Sequence, residues 1–384
     1  MSTVGLDPTR LLLLRLARLA LTEQDRHEAL RLAPQTNWAE LQRLAIRGGI
    51  AGLVATHATA VGMPRPTLYT LTAHSLAIEA HNRALLALGR ELCLQATERD
   101  LALIPLKGTA LQLDGLYPRP GLRSQCDLDL LTERSQLPAL DALLREHGLQ
   151  DRGDPTYALR HQHHLKYSGS DGHGRSVLVE LHWTPFFVTY GHARSDAAAL
   201  ARVTQVASAP TDPGAGDRPL RLLDPVDTLL SVGLHLAVHR YRGQLKWLVD
   251  VAELARRDGP HLAWNELWER AAELQAVKAL DRVFALARDL LGAPLPPPPR
   301  RGTLGPALLA RLSQPTALLE AEDQPPWSRC LLIDLLQRDR PTAALGNLLD
   351  KGLELLDRYH GLRLPRLRRR ASGPESGAPP PRRD

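Results

Sequence analysis

The chain has 384 residues, 43% of them hydrophobic and 23% charged, with a formal net charge of +6. That composition excludes a chain disordered throughout, a collagen and a multi-span membrane protein, and the length allows two or three domains at roughly 100–200 residues each. The basic excess argues little for nucleic acid, because seven arginines against two acids lie beyond Leu362 and leave the rest near neutral.

Residues 8–97 read as helices, with apolar residues at three- and four-residue steps, as in Leu41, Leu44 and Ala45 and in Leu85, Leu86, Leu88 and Leu92. Met63-Pro64-Arg65-Pro66 breaks that pattern. Arg10, Arg15 and Arg18 interrupt the N-terminal leucines well short of the roughly 20 apolar residues a membrane span needs. Cys93, Cys126 and Cys330 form no C-x-x-C pair. That fits a reducing compartment and argues against a disulfide framework or a cysteine zinc site. A cytoplasmic protein is the simplest reading.

The pattern changes at Leu101. Residues 101–106 are a short, strand-like apolar run, followed by Lys107-Gly108 and a helix start at Thr109. Cys126-Asp-Leu-Asp-Leu-Leu131 is a second strand. Pro138 to His147 reads as helix with Gly148 as its C-cap. Leu165 to Ser168 and Val177 to Trp183 read as hairpin arms around a turn rich in Gly and Ser.

After Tyr190 the pattern returns to helix. Residues 210–217 read as a loop, Asp224-Pro225 as an N-cap with Pro at N1, and Pro296 to Pro299 as a stiff spacer. Helix is expected again from Gly305 to about His360, and a disordered Arg/Pro-rich tail over 362–384. The expected architecture is α+β: a helical region over 1–97, a small mixed β-sheet core over 98–190, a helical region over 191–361, then the tail.

Asp127-Leu128-Asp129 carries the chemistry. On a strand, residues i and i+2 share a face about 6.6–6.8 Å apart. The two carboxylates then project together, with Cys126, Leu128 and Leu130 facing the core. Such a pair is costly unless a cation meets it, and Mg²⁺ uses one or two carboxylates plus substrate phosphates. In Val177-Leu-Val-Glu180-Leu-His182-Trp183, Glu180 and His182 share one face; beside the first strand, Glu180 would complete a three-carboxylate cluster. Lys107, Gly108 and Thr109 form a strand–turn–helix junction suited to phosphate, and Arg123 lies four residues before Asp127. Alone, a D-x-D triplet is commonly solvated surface; in this order and with apolar neighbours the combination is far more specific.

Strand–Lys107-Gly108–helix, then Tyr117-Pro-x-Pro-Gly121-x-Arg123, Asp127-Leu-Asp129-Leu-Leu131 and Val179-Glu180-Leu-His182-Trp183 resemble the uncharacterised bacterial nucleotidyltransferase family within the polymerase-β-like superfamily. The resemblance covers about 35–255, including Leu222 to Asp227, Leu234 to His239 and Trp247 to Asp250. It implies a nucleotidyltransferase core in which Asp127, Asp129 and Glu180 bind Mg²⁺, with Mn²⁺ as the alternative. It further implies an NTP substrate, ATP among the candidates, held by Lys107, Gly108, Thr109 and Arg123. The acceptor would be a small molecule, peptide or protein. Lys107-Gly108 stands where the superfamily more often has Gly-Ser. A catalytically inactive nucleotide sensor or scaffold of the same fold is the alternative.

Other signals have blander readings. His161, His163 and His164 are read as the polar start of a strand rather than a metal site, since no acid or Cys sits at ligand spacing. His235 and His239 share a helix face, but Leu236 stands where a zinc peptidase needs Glu. With Asp250 they are read as packing, substrate or interdomain contacts.

Overall fold

A computed structural model describes residues 5–170, 174–186, 193–206, 219–299, 304–320 and 326–340, with 346, 349, 352 and 354. The expected loop at 210–217, the last stretch of expected helix and the tail at 362–384 lie largely or wholly outside the described residues.

The chain opens with the helix Pro8–Leu16, capped by Asp7, whose side chain accepts from the Arg10 amide. Leu12, Leu13, Leu14 and Leu16 are all buried, while Arg15 stays partly exposed and pairs with Glu28. The helix Glu23–Leu32 starts with a reciprocal capping box between Thr22 and Asp25. After the break at Met63 and Pro64 comes a 34-residue helix, Arg65–Glu98, about 50 Å long at 1.5 Å per residue. Asp100, at φ +57, reverses the chain after it.

Five strands form one mixed sheet: β1 (Ile104–Pro105), β2 (Leu128–Leu131), β3 (Gln150–Asp151), β4 (His164–Ser170) and β5 (Ser176–His182). Their order is β1-β2-β5-β4-β3. β2 and β5 run parallel, and the other neighbours are antiparallel. The 165–183 hairpin thus forms as the alternation predicts, and the strand expected at 126–131 forms over its last four residues, with Asp127 just before it. The run at 101–106 pairs only over two residues, where Pro105 limits the ladder.

One face of the sheet is apolar. Leu128 and Leu130 of β2, and Val177, Val179 and Leu181 of β5, pack with Leu140, Leu143 and Leu144 of the helix Leu137–Glu146. Leu85, Leu92 and Cys93 of the long helix close this core. The helix approaches closely at Gly89, where an added Cβ would sit 3.1 Å from Leu128 Cδ2. Cys126 was expected in this core. It is exposed instead, because the ladder begins only at Leu128.

The other large core joins the N-terminal helices to the helices that follow Asp224. Leu12 to Leu16 pack in one cluster with residues of Pro225–Val238, Lys246–Arg257, Trp264–Glu273 and Val277–Leu291. Asp224 caps the first of these with Pro at the helix start, as the sequence indicates. The long helix adds Leu71 here and so borders both cores. A two-stranded antiparallel sheet, β6 (Thr204–Val206) and β7 (Leu220–Leu222), lies where helix alone was expected after Tyr190. Three-residue strands are too short to show a period. Beyond the Pro-rich spacer, the described helices are Leu304–Leu312, Thr316–Glu320 and Trp327–Leu336.

Candidate active site

The second sheet face carries the polar residues. Asp129 of β2 pairs in register with Glu180 of the parallel β5, so their side chains share this face on adjacent strands. Asp127 lies two residues before Asp129, on the same face. All three line one cavity of about 400 Å³. Lys107, Gly108 and Arg123 line it too, so six of the seven residues singled out in the sequence converge. Thr109 sits behind the wall. Its buried hydroxyl accepts from the Asp129 amide (3.2 Å) and from Gln125 Nε2 (2.8 Å), which fixes the start of β2.

Lys107 begins the helix Lys107–Leu113 with a left-handed backbone, φ +48. For a residue with a Cβ this costs roughly 1–2 kcal/mol. Its Nζ lies 2.6 Å from Asp129 Oδ1. Gly108 follows, and a Cβ there would collide with the Arg123 guanidinium. Arg123 is clamped from behind: Nε and Nη2 donate to Asp250 at 2.8 and 2.7 Å, and the Tyr117 hydroxyl donates to the same carboxylate at 2.6 Å. Burial alone would lower the Arg123 pKa, but Asp250 outweighs it and raises it. Burial and Asp250 together keep the Tyr117 hydroxyl protonated well above its usual range.

Residues the sequence did not bring together complete the site. Across the β4–β5 ladder, His164 faces His182 and Lys166 faces Glu180. Lys166 Nζ is 2.9 Å from Glu180 Oε1. His182 Nε2 is 2.8 Å from Asp129 Oδ1 and 3.5 Å from Glu180 Oε2. Lys246, from the helix Lys246–Arg257, reaches the cavity and donates to the Ser124 carbonyl at 2.9 Å. Opposite the sheet, Trp247 stacks with His239 (ring centroids 4.6 Å) and meets His235 edge-on (4.6 Å). His182 was visible two residues after Glu180 on the same strand face. Lys166 and Lys246 gave no signal, since their approach depends on strand register and on a helix more than 60 residues away.

The acids differ in electrostatic setting. Burial, with the nearby charges of Asp129 and Glu180, pushes the Asp127 carboxyl up to about 6. Burial would raise Asp129 too, but the Lys107 ammonium and the His182 hydrogen bond hold it well below the usual carboxylate range. Glu180 is likewise held low, by His182 and His164 against burial. Burial and then the Arg123 charge bring Lys246 down to about 8. A cluster of this kind can hold a divalent cation and a polyanion side by side.

Among the described residues, no helix is long and apolar enough to cross a membrane. A comparison with curated proteins gave no match. Among solved structures, the chain is similar to an antigenic nucleotidyltransferase-like protein from Paracoccidioides brasiliensis, at 15% identity and a TM-score of 0.31, over 45% of this chain and 76% of that one. The uncharacterised nucleotidyltransferase family matches residues 34–292, a span that holds every residue of the cavity and more than half of the sequence, and the chain belongs to that family.

Proposed function

We propose that this protein transfers a nucleoside monophosphate from an NTP such as ATP to a hydroxyl or phosphate of a small molecule, peptide or protein. The acceptor oxygen bonds to the α-phosphorus, the bridging bond to the β-phosphate breaks, and pyrophosphate leaves with that electron pair. The observation that supports this most is the Asp129–Glu180 register across parallel strands, with Asp127 beside them on the cavity wall.

The donor set fits a hard divalent cation, Mg²⁺ or Mn²⁺. The Asp127 carboxyl, raised by burial and by its anionic neighbours, marks a place short of positive charge. Asp127, Asp129 and Glu180 would hold the ion, which when bound offsets phosphate charge and lowers the proton affinity of an oxygen it touches. Lys107, the bare backbone of Gly108, and Arg123 behind it form the triphosphate side, with Lys246 as a further cation. Thr109 keeps Asp129 in place. Glu180, so weakly basic here, would stay a carboxylate and orient the acceptor by accepting a hydrogen bond from its hydroxyl, whose proton passes to water.

The test is a thermal-shift screen of ATP, GTP, CTP and UTP with and without Mg²⁺, followed by pyrophosphate release with candidate acceptors. A Mg²⁺-dependent shift lost in Asp127→Ala/Asp129→Ala supports the reading, and no shift with any NTP counts against it. One observation favours the second reading, a nucleotide sensor without turnover: the Lys107 and Lys166 ammonium groups already pair with Asp129 and Glu180. That reading predicts a shift but no pyrophosphate.

A further inference from the structure

We infer that His163, His164 and His182 form a binding site for one divalent first-row transition ion, of the zinc or cobalt type, beside the carboxylate cluster. This goes beyond the nucleotide reading, because the ion would be held whether or not an NTP binds.

The three imidazoles each offer a ring nitrogen within 4.8 Å of the others. Their centroids lie 4.5 Å apart for His163 and His164, 5.0 Å for His164 and His182, and 5.4 Å for His163 and His182. The fold enforces this. His164 and His182 face each other across the antiparallel β4–β5 ladder, and His163, one residue before β4, is tied to that end by its carbonyl accepting from the Trp183 amide at 3.1 Å.

Glu180 borders the group. Its Oε1 is 3.6 Å from His164 Nε2 and its Oε2 3.5 Å from His182 Nε2. Ligands about 2.0–2.1 Å from a tetrahedral ion stand about 3.3–3.4 Å from one another. His164 supplies the second observation. It is 8% exposed, and both its ring nitrogens are buried without a hydrogen-bond partner among the described residues. Leaving a buried polar atom unmet is costly, and a metal ion meets it. Imidazole nitrogens suit zinc, cobalt and nickel, whereas Mg²⁺ prefers oxygen, so the two sites differ in what they select.

The experiment titrates chelator-stripped full-length protein with Co²⁺ in excess Mg²⁺, following the visible absorption of nitrogen-ligated cobalt and the stoichiometry by equilibrium dialysis. One Co²⁺ per chain is expected, displaced by Zn²⁺ and retained in Asp127→Asn. His163→Ala and His164→Gln should each weaken it by more than about tenfold, since removing even a residue that only supports a ligand costs about 10–100-fold. Thermal melts establish that these variants fold; should His164→Gln not fold, the half-buried His163 decides through His163→Ala. Absence of saturable cobalt absorption in the wild type, or equal affinity in folded His163→Ala, overturns the proposal. Cobalt binding without any NTP-induced shift would leave this site standing while the nucleotide reading failed.

Discussion

Arg123 and Asp250 form a doubly hydrogen-bonded ion pair, almost wholly buried, that ties the loop before the acid strand to a C-terminal helix. A buried pair is worth little against a well-packed apolar one, but removing one partner strands the other charge. Asp250→Ala is therefore expected to cost about 3–5 kcal/mol in a denaturant melt. Arg123→Met/Asp250→Leu should recover a large part of that loss; a double variant no better than the single would mean that the pair itself carries the stability.

Asp129 has two cationic or polar neighbours and no bulk to replace. Asp129→Asn keeps its shape and is expected to fold, with a lowered melting temperature because the Lys107 ammonium loses its partner. Loss of a carboxylate that would hold the ion should lower turnover by at least about a hundredfold, the rate equivalent of roughly 3 kcal/mol. Full pyrophosphate release from Asp129→Asn would remove this residue from the chemistry.

Lys246 should give the site a pH dependence of its own. Its folded pKa of about 8 lies below the ordinary 10.5, chiefly through burial. Nucleotide affinity is expected to fall as the pH rises through about 8, when the ammonium is lost, and Lys246→Met should flatten that dependence. The ligand-free protein should respond in the opposite sense. Above about pH 8 the unfolded chain binds the extra proton, so this group adds stability as the pH climbs toward 10.5. Isothermal titrations and melts across pH 7–10 would read both signs.

Gly52 lies in the short helix Ala51–Thr56, and a Cβ there would run into the backbone carbonyl of Gly121 and the Ser75 hydroxyl. Gly→Ala within a helix ordinarily gains roughly 0.5–1 kcal/mol. Here backbone must move, and overpacking costs typically about 1–3 kcal/mol. Gly52→Ala is expected to lower the melting temperature and, by shifting the segment that leads to Arg123, to weaken nucleotide binding. A stabilised variant would contradict the close approach.

Much of the centre was legible because strand periodicity is local. Leu128, Leu130, Val179 and Leu181 alternate with Asp129, Glu180 and His182, and that alternation sets which side chains share a face. Which strands lie side by side is not local. The hairpin made β4 and β5 neighbours but its register was not legible, so Lys166 beside Glu180 stayed hidden, as did His163 and His164 beside His182. The family match over 34–292 extends past the resemblance at 35–255, over the helix Val277–Leu291, whose buried apolar face forms no motif. The shared core of Leu12 to Leu16 with the C-terminal helices was likewise invisible, since an apolar helix face does not name its partner.

The helix Arg65–Glu98 puts Leu71 into one core and Leu85, Leu92 and Cys93 into the other. Helical hydrogen bonding is cooperative along its length, so fraying at either end propagates toward the opposite core. The two halves should then melt in one transition, with amides near Leu85 exchanging only through global opening. A lesion among the N-terminal leucines would reach the five-stranded sheet as a change in how often the whole molecule opens, with no change in the distances at Asp129.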